Sequence, residues 1–245
     1  MSKILLKNNT YTTDPRLDRI VQFDDRSRNY PIRAQITPKQ ASKPRSYTWS
    51  VGKGLDQGNE GSCVGFSWAH ELIARPAVFL YADYNYARNQ IYKAAQEIDE
   101  WPGVAYEGTS VLAGAKIVKK LKHITEYRWA FGLEDLILAV GYKGPAVLGI
   151  NWYEGMFNTD SKGFINVTGN IAGGHAILCN RVNIKLQEFS LWNSWGSSWA
   201  NNGSCKVRFE DMKRLLKEDG EACIPIKRNI LKHYTCAFCG KDNFA

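Results

Sequence analysis

The chain has 245 residues, 44% of them hydrophobic and 23% charged, enough apolar side chain for a substantial core and too little charge bias for a disordered or coiled-coil protein. The formal net charge of +8 is scattered, and the densest basic runs (residues 117–123 and 226–233) do not alternate with aromatics, so nucleic acid is not expected as a partner. No apolar run approaches the roughly 20 residues of a membrane span, and the start has only Ile4, Leu5 and Leu6 as an apolar run with no cleavage site behind it. A cytoplasmic protein without membrane contact is the expectation.

Residues 1–45 are polar and broken by Pro15, Pro31, Pro38 and Pro44. Apart from a short strand around Tyr30–Ile36, no regular element is predicted there. The segment reads as an N-terminal extension, either a packing arm or a short inhibitory segment. From Ser62, a good N-cap residue, the pattern becomes helical: Cys63, Phe66, Ala69 and Ile73 recur at helix spacing until Arg75 and Pro76 stop the run. A second helix is predicted from Asp83 to Ile98 and a third from Ser110, with Val111, Leu112, Ala115, Val118 and Leu121 inside. Beyond a short helical piece near residues 133–144, the chain turns to short β-branched and aromatic runs separated by glycine or polar breaks, which predicts strands. Helices first and strands second make an α+β protein of two lobes, about 46–125 and 126–230, with a tail at 231–245.

Six cysteines in a long chain read as reduced thiols. Cys179, Cys205 and Cys223 sit in strand patterns and read as small buried hydrophobes. His70 and His123 read as structural. In the tail, Cys236 and Cys239 form one C-x-x-C with His233 three residues earlier. That is half of a structural zinc site, since such a site needs four ligands. Zinc there is the one cofactor considered, and a zinc-tethered nucleic-acid partner is the function that would go with it.

Three segments are out of place as pure structure: residues 57–63 with Gln57 and Cys63, residues 172–178 with His175 behind two glycines, and residues 191–203 with Asn193 between two tryptophans. Thiol catalysis needs these residue types. A helix N-terminus and a neighbouring imidazolium lower a thiol's pKa, and the imidazole can return its proton to a leaving group. A side-chain amide can fix the imidazole tautomer without adding charge. An oxyanion needs a backbone N–H, which Cys63 can supply, and a side-chain N–H, which Gln57 can supply.

In these motifs the chain resembles the papain-family cysteine proteases over about residues 45–227. Gln57 stands six residues before Cys63, which follows Gly61 and Ser62; His175 opens a strand; Asn193, Ser194, Trp195 and Gly196 are followed by Trp199, Asn202 and Gly203. The resemblance implies a papain-like two-lobed fold, a helical N-terminal lobe and an antiparallel β-rich C-terminal lobe, with Cys63 and His175 on opposite walls of the cleft between them. It implies a peptidase acting on polypeptides through a Cys63 thioester, with His175 as acid/base, Asn193 orienting it and Gln57 in the oxyanion hole, and no cofactor in the reaction. It carries over Glu107, Gly108 and Thr109, before the third helix, as residues that bind substrate backbone, with Gly174 and Trp195 beside them. Two positions depart from the family: Glu60 replaces a disulfide cysteine, and Val64 replaces the tryptophan after the nucleophile. An acyltransferase or amidase using the same nucleophile, and a catalytically inactive binding module, are the alternatives.

Overall fold

The computed structural model describes residues 3–101, 106–229 and 233–244. In chain order the elements are β1 (Ile4–Leu5), β2 (Tyr11–Thr12), two 3-10 turns (Asp25–Asn29 and Ile32–Gln35), α1 (Pro38–Ala41), β3 (Tyr47–Thr48), α2 (Cys63–Ile73) and a π-helical stretch (Tyr86–Lys93) running into α3 (Ala94–Ile98). There follow α4 (Val111–Lys120), β4 (Ile124–Trp129), α5 (Leu133–Tyr142), β5 (Ala146–Tyr153), a 3-10 turn (Glu154–Met156), β6 (Ile171–Asn183), β7 (Glu188–Trp192), β8 (Ser204–Arg208), α6 (Phe209–Lys217), β9 (Glu221–Arg228), β10 (His233–Thr235) and β11 (Asp242–Phe244). The order is α+β, as the change of hydrophobic period predicts.

Seven strands make one antiparallel sheet, β4-β9-β5-β6-β7-β8, with β3 also on β6. Alternation along its strands splits the core in two. Val147, Ala176, Leu178 and Cys223 face a cluster with α2, α4 and the π-helical stretch. Leu148, Ile177, Phe189 and Leu191 face the other way, under α5 and α6. Cys179, Cys205 and Cys223 are buried free thiols, as read from their strand patterns.

Helix α2 is enclosed by α4 and the π-helical stretch on one side and by the sheet on the other. All of its residues are buried, where the sequence shows only a stripe. Its polar members find partners: His70 Nε2 accepts the Leu55 N–H at 2.9 Å, and Glu71 pairs with Arg228 of β9 at 2.6 Å. Gly65 sits where a side chain would meet Ala87 O and Tyr92, so the glycine permits the close packing of α2 on the π-helical stretch.

Some local expectations differ. The strand expected around Tyr30–Ile36 is a single bridge, Pro31 to Trp129, followed by a 3-10 turn; Pro31 has no N–H to carry a ladder onward. Ser62 precedes α2, but its hydroxyl does not cap the helix and turns toward Glu60 O instead. Ser110, by contrast, caps α4 through the Ala113 N–H at 3.1 Å. Among the described residues no helix is long and apolar enough to cross a membrane.

Candidate active site

The strand register and one helix end bring three distant segments together. Cys63 is the first residue of α2, and the Ala176 N–H of β6 donates to its Sγ at 3.4 Å. His175, the residue before Ala176, is fully buried and its Nε2 lies 2.7 Å from Asn193 Oδ1. The Ser194 N–H donates to the same oxygen at 2.8 Å. That oxygen is therefore an acceptor, and His175 must carry its proton on Nε2. Nδ1 is left buried, bare and without a hydrogen-bond partner.

Aromatic rings seal the His175–Asn193 pair. Trp195 and Trp152 lie 4.9 and 4.8 Å from the imidazole, and Phe157 stacks on Trp195. Gln57 ties the loop before α2 to the asparagine segment: its N–H donates to Ser194 O at 2.8 Å, and its Oε1 accepts the Ser194 hydroxyl at 2.6 Å. Its Nε2 donates to Glu60 O at 2.8 Å and to Arg16 O at 3.2 Å. Glu60, at the family's cysteine position, pairs with Arg88 at 2.7 Å, and Val64 is buried against α4.

The N-terminal extension fills the groove over these residues. Arg16 stacks its guanidinium 4.1 Å from the Trp195 ring. Asp18 reaches the start of α2, where Cys63 Sγ donates to Asp18 Oδ1 at 3.2 Å. The Arg19 N–H donates to Gly174 O at 3.1 Å, and the Ile20 N–H to Thr109 O at 2.9 Å. Farther back, the Lys7 N–H reaches Glu107 O, and Lys7 Nζ makes a buried pair with Asp99 at 2.8 Å. All five residues expected to bind substrate, Glu107, Gly108, Thr109, Gly174 and Trp195, thus meet residues 6–20 of the same chain. Two glycines permit the approach: a Cβ on Gly61 would overlap Asp18 Oδ2, and one on Gly174 would overlap Arg19 O. The extension runs parallel to the 107–109 segment, from the Trp195 side past the thiol toward Thr109.

This covering sets the electrostatics. Burial pushes the Cys63 thiol well up, and the Asp18 carboxyl beside it adds to the shift. Burial raises Asp18 too, with Glu107 and Glu60 nearby adding to it, while its hydrogen bonds with Cys63 and Tyr92 act the other way. His175 falls to about 4, mainly by burial. In the covered groove the thiol and imidazole are therefore both neutral.

Asp18, Arg19 and Glu221 are the residues that sequence reading passed over. Arg19, through Nε and Nη2, donates to Glu221 Oε1 at 3.1 and 2.8 Å, and both side chains are buried. A carboxylate opening the otherwise apolar run of β9 is the one signal that could have pointed to Glu221. Cys236 and Cys239 lie at the turn between β10 and β11, and hydrogen bonds from the Cys239 and Phe238 N–H groups lower the Cys236 thiol to about 7. The side chain of His233 lies outside the described residues, and among those described no three metal-binding side chains gather. A cavity of about 580 Å³ lies elsewhere, lined by residues such as Thr159, Arg181 and Lys206.

No family model matches the sequence, and no curated protein matches it either. Solved structures do match. Xylellain, a cysteine protease from Xylella fastidiosa, aligns with a TM-score of 0.71 at 16% identity, over 90% of this chain and 99% of its own. Procathepsin B S9 from Trypanosoma congolense gives 0.61 at 11% identity, over 88% of each chain. Procathepsin L2 from the larval midgut of Tenebrio molitor gives 0.56 at 17% identity, over 85% of this chain and 77% of its own. At these identities the likeness shows the fold, which is papain-like.

Proposed function

We propose that the chain is a cysteine peptidase in a latent form, with residues 14–20 across its active site. The observation that carries this reading is the tautomer of His175. Asn193 Oδ1 accepts a hydrogen bond from His175 Nε2–H, so bare Nδ1 is the base available beside the helix end that bears Cys63. Once the extension leaves and water enters, the burial that keeps both groups neutral is relieved. The thiol proton passes to His175 Nδ1, and the thiolate rests against the positive end of α2.

The thiolate attacks the carbonyl carbon of a bound peptide. The resulting oxyanion takes hydrogen bonds from the Cys63 N–H and from Gln57 Nε2, which is occupied by Arg16 O in the covered form. As the C–N bond breaks, His175 gives its proton to the departing amine, leaving a thioester. Water, deprotonated by the same nitrogen, then hydrolyses the thioester and restores the thiol. The residues doing this are side chains and backbone groups of the chain itself. Residues 14–20 offer the thiol a carboxyl oxygen in place of an amide carbonyl carbon.

The test is iodoacetamide alkylation of Cys63 against pH, read by peptide mapping, in Asp18→Ala, where the thiol loses its cover. Fast labelling well below pH 7, lost on adding His175→Ala, supports the pair. Labelling that rises only near the ordinary thiol pKa of about 8.5 refutes it. Comparing hydrolysis with transfer to an added amine separates a peptidase from an acyltransferase.

A further inference from the structure

We infer that the C-terminal hairpin carries half of a structural zinc site and that a second copy of this chain completes it: Cys236 and Cys239 of two protomers hold one zinc ion on a twofold axis. The inference is independent of the peptidase reading.

The half-site is already built. Strands β10 and β11 pair from His233 with Phe244 to Thr235 with Asp242, and the chain reverses between them over residues 236–241. The Cys236 N–H donates to Lys241 O at 2.8 Å and the Gly240 N–H to Cys236 O at 3.1 Å, a curl that Gly240 permits with its φ of +69°. The curl brings the two sulfurs within hydrogen-bond reach of each other. The Cys239 and Phe238 N–H groups and the Gln90 side-chain amide also donate to Cys236 Sγ. A neutral thiol is a weak acceptor, so donors gathered on one sulfur suit a thiolate, the form that binds a metal. Gln90 belongs to the π-helical stretch, and its Oε1 accepts the Ala237 N–H at 2.8 Å. Its amide therefore clamps the turn to the body of the protein.

Structural zinc takes four nitrogen or sulfur ligands in a tetrahedron. The other cysteines are committed elsewhere: Cys179, Cys205 and Cys223 are buried in the two cores, and Cys63 lies under the extension. Among the described residues no third metal-binding side chain joins the pair. The backbone of His233 stands three strand residues back along β10, about 10 Å away and opposite Phe244. The site thus lacks two ligands, and an identical turn related by a twofold axis supplies two thiolates in the same geometry. The surface around it fits a second copy. Cys239 is exposed, Phe238 beside it is 55% exposed, and Leu80, 75% exposed, lines with Tyr81 a hollow that reaches Gln90. Large apolar side chains around an incomplete metal site are surface that a second protomer would cover.

The untagged full-length protein, kept in a non-thiol reductant, is weighed by light scattering and its zinc measured by elemental analysis. One zinc per two chains in a two-chain particle is expected. Chelator should give metal-free monomer, and added zinc, but not magnesium, should restore the dimer. Zinc should also protect Cys236 and Cys239 from iodoacetamide, and chelator should expose both. Cys236→Ser and Cys239→Ser should each lose metal and dimer together, whereas His233→Ala should keep both. In the serine variants Cys179, Cys205 and Cys223 should stay unlabelled, which separates loss of the metal from loss of the fold. Absence of zinc, one zinc per chain in a monomer, a dimer that persists in chelator, or loss of zinc in His233→Ala overturns the inference.

Discussion

Arg19→Ala should uncover Cys63. In the covered form the guanidinium makes two hydrogen bonds to a buried carboxylate and one to a backbone carbonyl. Removing one member of a buried pair costs about 3–5 kcal/mol when the other stays buried. Here the open state lets water reach Glu221, so the net weakening of the covered state is at the lower end, about 3 kcal/mol. At 1.4 kcal/mol per factor of ten, that multiplies the open population on the order of 100-fold. If opening is fast, the alkylation rate of Cys63 is that population times the rate for a free site, so it too rises about 100-fold until the groove is mostly open. Arg19→Lys keeps the charge but not the planar fork, and should fall between. The protein carries its own controls. Cys236 and Cys239 lie outside the core and, in chelator, label in either form, whereas Cys179, Cys205 and Cys223 label only on unfolding. An Arg19→Ala protein that labels Cys63 at the wild-type rate would refute the anchoring role. Labelling of the three core cysteines at the same raised rate would show unfolding rather than uncovering.

Four further outcomes are expected. The covered form holds the Asp18 proton more tightly than a free extension does, so covering is strongest below the ordinary aspartate range near 3.8 and weakens as pH rises from there toward the raised pKa, by up to about 1.4 kcal/mol per pH unit. Where the open site itself labels at a constant rate, the log of the Cys63 labelling rate should therefore climb with a slope of up to one in wild type, and Asp18→Asn should remove that slope. Gly61→Ala pushes a methyl into Asp18 and should raise labelling with the nucleophile untouched; an unchanged rate would mean that the carboxyl is not held there. Gln57→Ala in the Asp18→Ala background should lower kcat about 10²- to 10³-fold with little change in KM, and a change confined to KM would exclude the oxyanion role. Arg228→Ala strands Glu71 in the core between α2 and β9 and should cost about 3–5 kcal/mol in urea unfolding, the slope being unchanged.

The elements were legible because their signals are local. Short β-branched and aromatic runs between glycine or polar breaks announce strands such as β6 and β7, and the 62–73 pattern announces α2, although nothing local shows that both sides of that helix are covered. The positions of Cys63, His175, Asn193 and Gln57 were legible for a different reason: thiol chemistry needs those residue types at a helix start, a strand start and a following amide, and the motifs stand intact in the sequence. Ser62 misled because an N-cap preference is only a preference; its hydroxyl turned back to Glu60 O. Around Tyr30–Ile36 the expected strand shrinks to the one Pro31–Trp129 bridge, because Pro31 has no N–H to carry a ladder onward.

Tertiary structure decided what the groove contains. Nothing in the sequence reading singled out Asp18, Arg19 or Glu221, and no periodicity links Arg19 to a carboxylate 202 residues away. Their burial exists only because Gly61, Gly149 and Gly174, glycines scattered over three segments, leave room for the same short stretch of chain. The residue types and their order thus determined which chemistry the chain could host. The long-range contacts decided that the thiol is covered and neutral, and that a guanidinium fills the pocket beside it, because charge pairing and desolvation depend on distance in space, which sequence spacing does not encode.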